Sequence, residues 1–369
     1  MTNSKHFTSR GRGSSGRIAG LDLLRISLAI LIYMFHSWMH FGCSYSVYLD
    51  KFVSVGAVAM TGFFLLSGYA LRLVYGKQDL MEKHNLGRFY LKRILSIIPL
   101  YYFFALLYIL ISGKESMVDN MLLLPIEALG LQTTFTSLFG ISHNSGTWFI
   151  SCLLLAYLTY PFLQTICKQM GGRSKVLLLL ILIFIDIWGV IISRHFNTAW
   201  TYDDPFYRII ELTCGLLVAD LNIGYSNKFM QVMRSWGALI CSTVILFVGV
   251  TLMRYYFKSS DYMLYNIVAL PSFIIMLFSL GTLKMSMIKE SNLINYFGKL
   301  SYAFFLVQFF AWIVGEFVLS FFGYDSNMFR IAITLSYCII ASILVYEIVQ
   351  KPIVKFVNMR VLNYDTSIK

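Results

Sequence analysis

The 369-residue chain is 58% hydrophobic and only 13% charged, with a mean hydropathy of +0.69. A water-soluble fold of this length has too little interior to hide so much apolar surface, so the composition excludes a soluble enzyme and points to a polytopic membrane protein. The net charge of +12 then reads as basic loops gathered on one side of a membrane, with no aqueous region large enough to offer nucleic acid a basic groove.

Residues 1–17 carry Lys5, Arg10, Arg12 and Arg17 among Ser and Gly and read as a disordered basic arm. The first apolar stretch, 18–40, is long enough to cross a bilayer, which takes roughly 20 residues. It is too long for a signal peptide, holds Arg25 inside it and lacks a small-residue cleavage site behind it. Further spans are expected at 52–75, 90–112, 147–167 (Trp148 at its mouth, Pro161 inside), 175–193 (with a lone Asp186) and 206–222 (with Arg208 and Glu211). The last four lie near 236–255, 262–283, 298–321 and 330–350. Between the third and fourth spans, the apolar run 121–131 is too short to cross and reads as an interfacial or re-entrant helix. The expectation is an all-α integral membrane protein of about ten spans plus that short helix: one membrane domain over 18–355, then a C-terminal tail over 356–369.

With both termini cytoplasmic, alternate loops and the two terminal segments collect 22 of the 30 Lys and Arg, the asymmetry that sets orientation. The six cysteines (43, 152, 167, 214, 241 and 338) occur singly, with no CxxC or zinc-type spacing, and read as packing residues.

Ionisable residues inside a span face a protein interior or a wet cavity and mark function by default. Arg25 and His36 are eleven residues apart, close to three turns, and so share one helix face about 16 Å apart along the axis. An imidazole is suited to general-base work and a guanidinium to binding phosphate. The alternative is a histidine bonded to a neighbouring helix and an arginine reaching out to the interface. His40 completes an H-x3-H pair, but no third ligand lies near it in sequence, so no metal site is expected. Arg208 and Glu211 place opposite charges on one face; the carboxylate would orient His36 if the helices meet, or else form a structural ion pair. Ser67-Gly68 reads first as close helix packing and second as a hydroxyl beside a substrate channel. Lys92 and Arg93 open the third span as cytoplasmic charge.

These residues resemble acyltransferase family 3, multi-span bacterial membrane enzymes that O-acylate surface and exported glycans. The run from Asp22 through Arg25 to His36 is similar to that family's R-x10-H signature, and Phe63-Phe64-Leu-Leu-Ser67-Gly68-Tyr69 to its second-helix motif. Arg93-Ile-Leu-Ser-Ile-Ile-Pro99, Thr147-Trp148-Phe-Ile-Ser151, Arg208-x-x-Glu211-x3-Gly215 and Gly298-Lys-Leu-Ser301-Tyr302-x-x-Phe305-Leu306 follow in the family's order. The chain departs from the family pattern at Ser96, Cys152, Gln308 and Gln350, where members usually carry a charged residue or histidine.

The resemblance implies transfer of an acyl group, most often acetyl from cytoplasmic acetyl-CoA, to a sugar hydroxyl of a polysaccharide (capsule or other envelope glycan) or its lipid-linked precursor. It implies no permanently bound cofactor. His36 and Glu211 would be catalytic. Arg25, Lys92, Arg93 and Ser67 would hold the donor, and Trp148, Arg208 and Tyr302 the acceptor. The partners implied are acetyl-CoA, a glycan or lipid-linked glycan and membrane lipids, in the bacterial cytoplasmic membrane, with homodimer formation left open. Two rivals remain: a flippase for lipid-linked glycans, with Arg25, His36, Asp186 and Glu211 along its path, and a non-catalytic scaffold of the same fold.

Overall fold

The computed structural model describes residues 18–112, 116–134, 137–138, 142–196, 201–259, 261–283, 292–356 and 359. The basic arm expected over 1–17 and most of the tail expected over 356–369 lie outside them. The described residues form helices and no strands. In chain order they are α1 (Ala19–Phe41), α2 (Leu49–Val53), α3 (Ala59–Tyr75), α4 (Lys83–Ser112), α5 (Met117–Ala128), α6 (Trp148–Gln169) and α7 (Gly172–Phe196). There follow α8 (Pro205–Gly224), α9 (Lys228–Met233), α10 (Trp236–Phe257), α11 (Asn266–Leu280), α12 (Asn292–Phe322) and α13 (Asn327–Val345).

Nine helical stretches among the described residues are long and apolar enough to cross a membrane. The one expected span not among them, the sixth in chain order, is α8, which has the length but carries Arg208, Glu211 and Asp220. It keeps 15 of its 20 residues buried: α8 runs through the middle of the bundle, where protein rather than lipid meets its charges, and polar side chains are admissible there. Asp204 accepts from the Phe206 amide at its start and Pro205 fills the first helical position, satisfying a donor and supplying a helical φ. Ser235 and Ser326 cap α10 and α13 in the same way.

α3 lies directly against α8. A Cβ added at Gly68 would sit 1.8 Å from the Leu212 carbonyl oxygen, and one at Gly215 would sit 1.9 Å from the Leu65 carbonyl oxygen. The two backbones therefore touch, as small residues permit in membranes, and the packing role expected of Ser67-Gly68 is the one Gly68 has. Near the end of the bundle where α1 starts, Asp220 of α8 binds Arg72 of α3 and, at 2.8 Å, Lys175 of α7. These bonds tie three helices together at one level.

The short apolar helix expected after the third span is α5. Its twelve residues reach about 18 Å, too short to cross. It lies at the end of the bundle where α1 finishes, fastened by Tyr101 Oη to the Glu127 carbonyl at 2.8 Å and by Tyr102 Oη to the Ala128 carbonyl. Val118, Met121, Leu122 and Leu129 stay exposed along it. All six cysteines are free thiols, five of them buried.

A Gly68→Leu substitution forces α3 off α8 and costs at least about 1–3 kcal/mol, whereas Gly87→Ala, with open space around its Cβ, is neutral or gains up to about 1 kcal/mol. Thermal denaturation of the two variants in detergent checks this; equal melting temperatures would contradict the backbone contact.

Candidate active site

Two groups of polar residues lie inside the bundle, and they differ in whether anything can reach them. The first is a line of side chains that are surrounded by protein yet keep accessible surface. At the end where α1 begins, Arg25 bonds Asp22 at 3.2 Å with its side chain 27% exposed. Gly298 of α12 leaves room for that buried carboxylate, since a Cβ there would stand 2.9 Å from Asp22 Oδ1. Arg93 of α4 donates to Tyr75 Oη at 3.3 Å and sits over the rings of Tyr75 and Tyr157, at 5.5 and 5.9 Å. Lys92, next to Arg93, is half-buried. Ser67 on α3 keeps part of its surface accessible.

Further along, Tyr302 of α12 donates to the Ile97 carbonyl at 3.1 Å, two residues before Pro99. Phe149 of α6 stands edge-on to both Tyr302 and Phe305, and Phe305 packs edge-on to His36, at 6.1 Å between ring centroids. His36 Nδ1 lies 2.9 Å from Gln308 Oε1, and Phe35, His40 and Phe309 complete the ring's surroundings. Arg25, Arg93, Tyr157, Tyr302 and His36 are all partly accessible while lying within the bundle of α1, α4, α6 and α12.

The second group is sealed. Arg208 has no exposed surface. Its Nη1 donates to both oxygens of Glu211 at 2.8 Å, its Nε donates to the Tyr202 carbonyl at 3.0 Å, and the rings of Tyr202, Trp148 and Phe64 enclose it at 5.1, 5.2 and 5.7 Å. Glu211 accepts from Thr61 Oγ1 at 2.7 Å and from Asn266 Nδ2 at 3.1 Å, and Asn266 also donates to Asp186 at 2.9 Å. The partner of Asp186 is thus an amide 80 residues away, which nothing local in the sequence announces.

This geometry redirects three expectations. Glu211 does not meet His36: its bonds go to Arg208, Thr61 and Asn266, and the polar group beside the imidazole is the Gln308 amide. Arg208, fully enclosed, and Trp148, only 4% exposed, have no surface to offer an acceptor in this conformation. The sealed group instead supports the site. Trp148, Tyr202, Tyr262 and Phe35 stack in succession, at 4.7, 5.1 and 5.3 Å, from the Arg208 cage to the residue before His36.

A further pair was not singled out from sequence. His143 bonds Glu127 of α5 twice, backbone N to Oε1 at 2.8 Å and Nδ1 to Oε2 at 2.7 Å, with both side chains buried. This clamp seats the loop before α6 over the far end, where Gly146 has no room for a Cβ beside the Phe309 ring and Phe309 stands against His36. The apolar run around Glu127 hid the pair, because its histidine lies 16 residues on. Nearby, desolvation pushes the Asp203 carboxyl in the loop before α8 above its usual range, against an opposing bond from Ser137. Among the described residues no three His, Cys, Asp or Glu side chains converge as a metal site would require.

Removing one member of a buried ion pair leaves an uncompensated charge, so Arg208→Met costs about 3–5 kcal/mol of stability. Asp186→Asn keeps the Asn266 bond and changes stability by less than about 1 kcal/mol, the net worth of one hydrogen bond. Melting temperatures in detergent check both; an Arg208→Met protein as stable as the parent would show that the pair does not hold the bundle.

No curated protein and no solved structure matches the chain. The family model for an acyltransferase domain, acyltransferase family 3, matches residues 18–347, a stretch that takes in α1 to α13 and both groups of polar residues. The chain is a multi-pass membrane protein, and it belongs to acyltransferase family 3.

Proposed function

We propose that this acyltransferase moves an acetyl group from cytoplasmic acetyl-CoA to a sugar hydroxyl of an exported or surface polysaccharide, or of its lipid-linked precursor. The observation that carries the reading is the line of accessible side chains inside the bundle, from Arg25 and Arg93 past Tyr157 and Tyr302 to His36. The end holding the two arginines is the cytoplasmic one, in the bacterial cytoplasmic membrane with both termini inside, on the strength of the Lys and Arg asymmetry. There Arg25, Arg93 and Lys92 form an anion-binding mouth for the donor's phosphates, with Ser67 near by. About 16 Å separates Arg25 from His36 along α1, comparable with the reach of a pantetheine arm.

At the far end His36 takes the proton of the acceptor hydroxyl as its oxygen attacks the thioester carbon. The C–O bond forms, the C–S bond breaks, and the proton passes to the departing thiolate. A route through an acyl-histidine would differ by showing ping-pong kinetics. Tyr302 lines the path between the two ends. Arg208, Glu211 and Trp148 act from behind it, as the wall that holds α1 and α6 in place. The seal around Glu211 and Asp186 favours this reading over a flippase path lined by them.

His36→Ala is expected to lower glycan O-acetylation about 10²–10⁴-fold, the usual worth of a general base, read by mass spectrometry of surface glycans from cells carrying each form. Arg93→Ala is expected to raise KM for acetyl-CoA more than it lowers kcat, and CoA to raise the melting temperature of the detergent-solubilised protein. Undiminished acetylation by the His36→Ala form would remove the base assignment, and a protein that neither hydrolyses acetyl-CoA nor is stabilised by CoA would be a transporter rather than an enzyme.

A further inference from the structure

Gln308 is fully buried on α12 and does two unlike things with one amide. Its Oε1 stands 2.9 Å from His36 Nδ1, while its Nε2 is enclosed and finds no hydrogen-bond partner. An enclosed amide with a vacant donor is a poor packing residue: an aliphatic side chain of the same length would fill the place without burying an unpaired N–H2 group. Its presence calls for a reason, and the imidazole supplies one. A carbonyl oxygen only accepts hydrogen bonds, so with the amide turned to face the ring with Oε1 the proton lies on Nδ1 and the Nε2 lone pair of His36 is free, whereas the reverse turn would place the proton on Nε2. That nitrogen makes no hydrogen bond and is not among the enclosed polar atoms of the protein; the ring keeps accessible surface.

We infer that Gln308 is the positioning residue of the site, holding His36 as the neutral Nδ1–H tautomer with Nε2 presented as the base. The inference rests on the reading of His36 as the general base and adds how its reactive nitrogen is chosen. A carboxylate is the usual partner for this task. Among the described residues none forms an ion pair with the ring: its aromatic neighbours are Phe35, His40, Phe305 and Phe309, and its hydrogen-bond partner is Gln308. An amide fixes the tautomer as a carboxylate would, without adding a second charge inside the membrane, where an unpaired charge is costly.

Two measurements on the full chain in detergent or native membranes test this. The first is the nitrogen-15 NMR spectrum of histidine-labelled protein, with His36 assigned by its loss in His36→Ala. The expected signal is protonated Nδ1 and unprotonated Nε2; a His36 protonated on Nε2 overturns the inference, and this reading needs neither a substrate nor a variant of Gln308. The second is Gln308→Met, which keeps length and apolar contact but removes the acceptor. With acetyl-CoA as the probe, read as thiol release in membranes of expressing cells, kcat is expected to fall about tenfold or more, a part of the 10²–10⁴ that a general base supplies. KM for acetyl-CoA stays unchanged and the melting temperature holds or rises. A Gln308→Met protein with kcat within about twofold of the parent, where His36→Ala is inactive, overturns the positioning role and leaves the base assignment standing. An active His36→Ala form removes the base instead.

Discussion

The structure depends on enclosing one polar helix. α8 carries an arginine, a glutamate and an aspartate through the middle of an otherwise apolar bundle, and each would be ruinous against lipid. Every close neighbour answers to that constraint. α3 comes within backbone contact through Gly68 and Gly215, α7 and α11 bring Asp186 and Asn266 to Glu211, and α6 brings Trp148 over the Arg208 guanidinium. At the other end Arg72 and Lys175 neutralise Asp220. Buried ion pairs of this kind add little net stability over apolar packing, but they tolerate no loose fit, since a missing partner leaves a bare charge. They therefore hold the helices in one register.

That rigid half explains where the chemistry can be. With α3, α6, α7 and α11 committed to α8, the interior room that remains lies toward α1, α4 and α12, and there the partly accessible side chains occur. The wall between the two halves is aromatic: Trp148, Tyr202, Tyr262 and Phe35 run from the Arg208 cage to His36. Such rings offer stiff, closely packed surface, so the imidazole mounted on them keeps its direction. The loop clamped by Glu127 and His143 closes over the same end, bringing Gly146 against Phe309.

Much of this architecture was legible in the sequence because bilayer thickness imposes a length on apolar runs, and each expected span is occupied mainly by one helix, although the one expected at 52–75 is broken between α2 and α3. The helix starts were less so. The third span was read from residue 90, whereas α4 begins at Lys83, because the polar turns holding Lys83, Arg88 and Lys92 remain helical beyond the apolar window. Arg25 and His36 were legible as a pair because helical periodicity sets them on one face. What sequence spacing could not supply was anything between helices. Glu211 was paired in expectation with His36, since both lie near the same end, but a rotation about α8 sends its carboxylate to Thr61 and Asn266 instead. Gln308 stood out only as a departure from the family pattern; that it meets an imidazole 272 residues earlier is a fact of how α1 and α12 pack.

The separation of charge along α1 follows from the same packing and shapes what the site can do. Positive charge gathers where α1 begins, on Arg25, paired with Asp22, and on Arg93, which sits over the rings of Tyr75 and Tyr157. Where α1 ends, the imidazole meets an amide and aromatic rings, with no ion pair among its described neighbours. Under the proposed reaction, a donor carrying phosphates would be attracted at one end only, and its thioester would advance toward a histidine with no ion pair beside it. On that proposal the base would stay neutral until it takes a proton, and the positive charge it then gains would appear where no described ion pair neutralises it. Return of that proton to a departing thiolate would accordingly be favoured, and the site would reset without a counter-ion having to move through the membrane. A permanent carboxylate at position 308 would hold the proton on the ring longer and slow that return, which is a physical reason for an amide there.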